Sequence, residues 1–142
     1  MLDFRQIIKE SAETKLRMLE VCMDDIEKAS ELMLDCVNNG NKILWCGNGG
    51  SAADAQHMSA ELMGGLRSHS RKPIPSIALS TDTSFITAWA NDTSYDEIFS
   101  RQIEGVGSPG DILIAISTSG NSTNVINALV SAESSEIKSI IL

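Results

Sequence analysis

Basic residues are scarce in this chain. Eleven Lys and Arg stand against nineteen Asp and Glu, a formal net charge of -8. Such a surface cannot displace counterions along a phosphate backbone, which argues against general nucleic-acid binding. An anionic small molecule must then be held by local devices, because the overall field repels it. Long apolar runs are lacking too: the chain has no stretch of about 18 consecutive apolar residues, so no membrane-spanning helix is expected. The opening MLDFRQIIKE is polar and mixed in charge, without the apolar stretch of a secretory signal. Three prolines and ten glycines exclude collagenous or proline-rich repeats, and 42% hydrophobic residues exclude a disordered polar chain. Disulfide scaffolding is not expected either. Cys22, Cys36 and Cys46 are odd in number, form no C-x-x-C pair and fall within apolar patterns, as buried reduced thiols of a cytoplasmic protein do. At 142 residues the chain fits one domain with a core large enough to stand without staples.

The first 39 residues read as helix. Leu19, Cys22, Ile26, Ala29, Met33 and Cys36 step by three and four along one face, and Phe4, Ile8, Ala12 and Leu16 continue the stripe upstream. A break near Met23–Asp25 would make two helices, and Asn38-Asn39-Gly40-Asn41 supplies the terminating turn. The stripe serves either this domain's own core or an interface between subunits. From residue 40 onward the texture changes. Short continuous apolar runs appear at Lys42–Cys46, Ser76–Leu79, Asp111–Ile116 and Lys138–Leu142, as parallel strands covered on both faces require. Helical stretches separate them at Ser51–Leu66, in parts of Thr81–Val106, and at Asn121–Glu133. Strand alternating with helix predicts an α/β fold, a doubly wound parallel sheet over 40–142, whose ligands sit at the carboxyl ends of the strands.

Two of those ends are chemically loaded. After the first strand comes Gly47-Asn48-Gly49-Gly50-Ser51, where glycines permit close backbone approach and the following helix offers free N–H groups to an anion. Ser51 and Asp54 have the spacing of a capping box. The loop lacks the Gly-Lys-Ser/Thr of a Walker A motif and the G-x-G-x-x-G dinucleotide pattern, so an ordinary glycine turn is the competing reading. After the third strand, Ser117, Thr118, Ser119 and Ser122 place four hydroxyls within six residues directly before a helix. Hydroxyls and helix N–H groups together make a neutral phosphate cradle that needs no lysine. Between the two loops in sequence, Asp54, His57 and Glu61 share one helix face, with His57 and Glu61 close enough to share a metal ion or a proton. Spacing alone equally fits a solvated polar face.

Three segments carry a resemblance. CGNGGSAADAQHMSAEL, TDTSFITAWANDTSYDEIFSRQI and ISTSGNSTNVI closely resemble, in order and spacing, the phosphoheptose isomerases of the sugar isomerase (SIS) domain family. The likeness runs from about residue 40 to the chain end, and an N-terminal helical segment is usual in these enzymes. The resemblance implies a flavodoxin-like SIS fold and conversion of sedoheptulose 7-phosphate to D-glycero-D-manno-heptose 7-phosphate. It further implies supply of activated heptose for lipopolysaccharide or another surface polysaccharide, a cytoplasmic homotetramer with sites between subunits, and a zinc cofactor. Carried over by position, Ser117, Thr118, Ser119 and Ser122 match the phosphate loop, and Asn48, Gly49, Gly50 and Ser51 the substrate loop. Asn91 and Asp92 match a further sugar-contacting pair, while His57 and Glu61 match two metal ligands, with Glu61 also the expected base.

The departures are two. Where the family often reads Gly-Arg-aromatic, this chain has Gly64-Gly65-Leu66-Arg67, which places any arginine role there in doubt. The glutamine and histidine that complete the family's zinc site, the histidine as partner acid, are expected beyond residue 142. SIIL then reads as the start of an interior strand, and the chain as most of a subunit. A non-catalytic SIS protein that binds the replication initiator DnaA, or a phosphosugar sensor, is the competing function. The Glu61 carboxylate and the uninterrupted Ser117-Thr118-Ser119 run favour the enzyme.

Overall fold

The computed structural model describes residues 2–142. It divides into two compact units, one ending at Leu32 and the other spanning Met33–Leu142. In the first, helix α1 covers Phe4–Val21, and Asp3 caps it by accepting the N–H groups of Arg5 and Gln6. A break at Cys22 separates α1 from α2, Met23–Asn38, within a residue of the expected place. No residue of α1 is buried, and Phe4, Ile8, Leu16 and Leu19 of the stripe are exposed. The turn after α2 places Gly40 in the left-handed region at φ +78°, a conformation that costs a β-carbon-bearing residue about 1 kcal/mol.

The second unit carries the sheet. Its elements are β1 (Ile43–Gly47), α3 (Gly50–Gly64), β2 (Ser76–Ala78), α4 (Thr83–Asp92), a 3-10 turn (Tyr95–Glu97), α5 (Ser100–Val106), β3 (Ile112–Ile116), α6 (Thr123–Ser134) and β4 (Lys138–Ile141). The strands run parallel in the order β2-β1-β3-β4. All five residues of β1 are buried, which is why its apolar run is continuous rather than alternating. Leu44, Cys46, Leu113 and Ala115 pack with Phe99 and Ile103 of the α5 region and with Val125, Ala128 and Ala132 of α6. Ile43, Trp45, Ile112 and Ile114 alternate with those strand residues and are buried as well. The Trp45 indole N–H meets Ser76 Oγ at 2.9 Å, so the polar edge of that ring is satisfied inside the core. Cys36 and Cys46 are buried free thiols as expected, and Cys22 is a partly exposed one.

One local expectation is corrected. Ser51 does not cap α3: Gly49 takes that position with φ +56°, makes no side-chain cap bond, and starts the helix early enough to put Ser51 inside it. No capping box with Asp54 forms. The run SIIL lies in β4 and at its end, a strand as expected. β4 pairs with β3 alone, and Ile141 and Leu142 are exposed.

Candidate functional site

The sheet order fixes where the site can be. The chain leaves β1 toward β2 on one side and returns to β3 on the other, so strand order reverses between β1 and β3. At such a point the loops after the two strands diverge and leave a crevice above the sheet. Gly47–Gly50 follows β1 and Ser117–Ser122 follows β3, and the register pairs Gly47 directly with Ile116. The approach is close enough that a β-carbon on Gly47 would lie 3.0 Å from the Ile116 carbonyl oxygen and 2.8 Å from Ser51 Cβ. Beyond it, Gly49 and Gly50 have open space where a side chain would stand, leaving backbone exposed to a ligand.

The β3 loop gathers its hydroxyls. Ser117 Oγ lies 3.5 Å from Ser119 Oγ and 3.4 Å from Ser122 Oγ, and it accepts the Gly120 N–H at 3.2 Å. Ser119 Oγ accepts the Asn121 N–H at 3.2 Å. Ser122 precedes α6 as its cap residue but makes no side-chain cap bond, so its hydroxyl remains available beside the first N–H groups of the helix. Thr118 is exposed on the same loop. Converging hydroxyls at a helix N-terminus form a neutral anion site.

Asn48 joins the two loops. Its Nδ2 donates to Asn124 Oδ1 at 2.8 Å, and its Oδ1 accepts from Asn124 Nδ2 at 2.9 Å. The Tyr95 hydroxyl donates to the same Oδ1 at 2.9 Å. Asn124 and Tyr95 were not anticipated from sequence. Asn124 sits in the first turn of α6 with 2% exposure, a buried polar side chain beside a polar loop, and Tyr95 is the only tyrosine.

His57 and Glu61 form a second cluster on α3, with His57 Nε2 3.4 Å from Glu61 Oε1. The His57 side chain is 73% exposed and that of Glu61 34%. They lie seven and eleven residues past Gly50, about 10 and 16 Å along the helix axis from the β1 loop. Nitrogen and oxygen donors one turn apart suit zinc, but among the described residues no third His, Cys, Asp or Glu joins them. The pair fits half of a four-coordinate site. Asn91 and Asp92 end α4, are exposed, and bond to each other at 2.7 Å rather than to either loop.

The segment after α3 holds the arginine that bears on this helix, and it is Arg71. Its guanidinium donates to the carbonyls of Glu61 and Leu62 at 2.8 and 2.6 Å, closing the helix end. Arg67 is exposed, and His69 is exposed with Nδ1 3.3 Å from the Gly64 carbonyl.

Comparison with known proteins identifies the family. The family described as SIS domain matches residues 6–142. The phosphoheptose isomerase of Shewanella frigidimarina (strain NCIMB 400) is 56% identical over 138 residues, covering 97% of this chain and 70% of its own length. That of Shewanella oneidensis is 59% identical over 133 residues, covering 94% and 67%. Among solved structures, a phosphoheptose isomerase from Francisella tularensis superposes with a TM-score of 0.93 at 36% identity, covering 97% of this chain and 72% of that one. GmhA from Neisseria gonorrhoeae gives 0.88 at 43% identity, covering 96% and 71%.

Proposed function

The chain belongs to the SIS-domain family, among its phosphoheptose isomerases, and from that premise we propose that it interconverts sedoheptulose 7-phosphate and D-glycero-D-manno-heptose 7-phosphate. The observation that carries the reading is the Ser117–Ser122 cradle at the α6 N-terminus, set at the strand-order reversal beside the Asn48 loop, in a chain 56% identical to a phosphoheptose isomerase over 97% of its length.

Ser117, Thr118, Ser119, Ser122 and the α6 N–H groups hold the phosphate, which lies remote from the reacting carbons and fixes the register of the sugar. Asn48, Gly49, Gly50 and Ser51 line its path, and Asn91 and Asp92 contact it from α4. Glu61 removes the C1 proton of the ketose to give an enediol, then returns a proton to C2, which leaves the carbonyl at C1. Zinc, held by His57 and Glu61 with two further ligands from outside the described residues, would polarise the carbonyl. The product feeds activated heptose into lipopolysaccharide or another surface polysaccharide.

The two clusters are carried by different segments, His57 and Glu61 about two to three turns along α3 from the β1 loop and the hydroxyls in the loop after β3. A cytoplasmic homotetramer with sites between subunits resolves the separation, one copy lending its His57–Glu61 pair to the phosphate cradle of another. The exposed apolar residues Met58, Met63 and Leu66 on and just after α3 support such a covering, and so does the exposed stripe of α1. Among the described residues no helix is long and apolar enough to cross a membrane.

The test is direct. Protein supplied with zinc and sedoheptulose 7-phosphate is expected to generate the aldose signal by proton NMR, and Glu61→Gln to lower kcat by about 100-fold or more. Full activity in that variant would refute the assigned base, and absence of turnover in the wild type would refute the isomerase. Mixing and reassembling Glu61→Gln with Ser119→Ala copies restores activity only if the site spans subunits.

A further inference from the structure

We propose that Asn124 and Tyr95 are positioning residues that lock the Asn48 carboxamide so that it offers the sugar phosphate a hydrogen-bond donor and no acceptor. The inference rests on the isomerase reading above and deepens it, naming what orients one of its substrate contacts.

A carboxamide has two N–H donors and two acceptor lone pairs. Asn48 Oδ1 receives the Tyr95 hydroxyl at 2.9 Å and Asn124 Nδ2 at 2.9 Å, so both lone pairs are engaged. Asn48 Nδ2 gives one hydrogen to Asn124 Oδ1 at 2.8 Å. The position left over is the second N–H. Rotating the Asn48 amide by half a turn would set oxygen against Asn124 Oδ1 and nitrogen against Asn124 Nδ2, so one partner cannot turn without the other. Asn124 is poorly placed to turn, being 2% exposed in the first turn of α6.

Tyr95 is held from the same helix. The 3-10 turn that carries it is capped by Ser94 Oγ, which accepts the Asp96 N–H at 3.0 Å, and Asn127 Nδ2 of α6 donates to the Asp96 carbonyl at 3.0 Å. Residues far apart in sequence thus fix one amide from two sides. The remaining hydrogen suits an oxygen of the sugar, and suits best an oxygen that gains negative charge as the enediol forms. The cradle of Ser117, Ser119 and Ser122 does not depend on Tyr95, so the network governs the sugar while the hydroxyls govern the phosphate.

Titration calorimetry of the wild type, Tyr95→Phe and Asn124→Ala against sedoheptulose 7-phosphate and against inorganic phosphate separates those roles. Tyr95→Phe, an exposed position whose ring is retained, is expected to weaken the sugar phosphate about three- to tenfold while phosphate binding stays within about twofold. Asn124→Ala is expected to weaken the sugar phosphate by about tenfold or more, and Tyr95→Phe keeps the test open should that variant not fold. Parallel loss of both ligands in Tyr95→Phe, or no loss of either, overturns the proposal, as does a wild type that binds no sugar phosphate. Ligand-induced movement of one Asn48 side-chain amide proton in the nitrogen-edited spectrum supports it, and an unmoved amide pair counts against it. A wild type that shows this affinity pattern without turnover refutes the isomerase reading alone; a wild type that turns over, with Tyr95→Phe binding unchanged, refutes this one alone.

Discussion

Asp111→Asn should be among the most damaging single changes in the sheet-bearing unit, and the structure says by how much. The Asp111 side chain is 1% exposed at the head of β3 and takes four hydrogen bonds. Oδ1 accepts the Lys42 N–H at 2.9 Å and Asn41 Nδ2 at 3.4 Å; Oδ2 accepts Lys42 Nζ at 2.5 Å and the Ser108 N–H at 2.8 Å. An asparagine must point its amide at one of these donor pairs. Removing one member of a buried ion pair costs about 3–5 kcal/mol, because the other charge is left uncompensated. Lys42 keeps 22% side-chain exposure and can swing toward water, so the lower end, about 3 kcal/mol, is expected. Against a total stability of about 5–15 kcal/mol, that loss is readily measured by urea denaturation followed by circular dichroism. The pH dependence has a definite sign. Burial alone would push the Asp111 carboxyl up, but its hydrogen bonds and the Lys42 charge outweigh that and hold it below its ordinary value. A depressed carboxylate contributes stability that is fully present above about pH 4–5 and is lost as pH falls through the folded pKa, below about 3.9. The wild type should therefore lose more stability than Asp111→Asn on acidification, and the two curves should converge. Substrate affinity should be unchanged at neutral pH, since the site lies at the opposite ends of the strands. A penalty under about 1 kcal/mol, or curves that stay parallel into acid, would refute the reasoning.

Two further perturbations probe packing. Gly47→Ala forces a β-carbon to within 2.8 Å of Ser51 Cβ and 3.0 Å of the Ile116 carbonyl, and is expected to cost about 1–3 kcal/mol in a thermal melt and to weaken sugar phosphate binding as the loops part. Thiol titration at pH 8 should modify the partly exposed Cys22 quickly and leave Cys36 and Cys46 unmodified until urea unfolds the chain, because both are buried and burial pushes the Cys46 thiol up to about 12.

The sequence was most legible where one physical cause dominates a whole segment. Strands buried on both faces must be apolar throughout, so KILWC and DILIAI declare themselves, and the structure places β1 and β3 within a residue of those runs. The clustering of the Ser117–Ser122 hydroxyls was legible for a local reason: residues this close in sequence before a helix start must lie close in space, as Ser117, Ser119 and Ser122 do. Features that need two segments at once were not. Asn48 meets Asn124 across 76 residues and Tyr95 across 47, and nothing local marks either partner. Likewise, Arg71 reaches back ten residues to the Glu61 carbonyl through a loop whose path no periodicity reveals. The misplaced cap at Ser51 has a different cause. Gly49 adopts a positive φ that no spacing rule foresees, and the helix starts with it.

The charge balance bears last on how the substrate arrives. The doubly charged phosphate approaches a chain of net charge -8, and the Ser117–Ser122 loop contains neither lysine nor arginine. A cradle built from hydroxyls and helix N–H groups gains little from long-range attraction, and the surrounding field opposes the encounter. Salt screens that opposition, with a Debye length that shrinks from about 30 Å at 0.01 M to about 8 Å at 0.15 M. Short hydrogen bonds within the cradle are scarcely screened over their own length. Association should therefore quicken as salt is raised across that range, while the Kd for sedoheptulose 7-phosphate falls or moves by less than about threefold. A site built on lysine or arginine would do the reverse, with slower association and weaker binding at higher salt. Stopped-flow association rates at the two salt concentrations, paired with calorimetric Kd values, distinguish the two, and a tenfold loss of affinity with salt would show that cationic side chains, not hydroxyls, hold the phosphate.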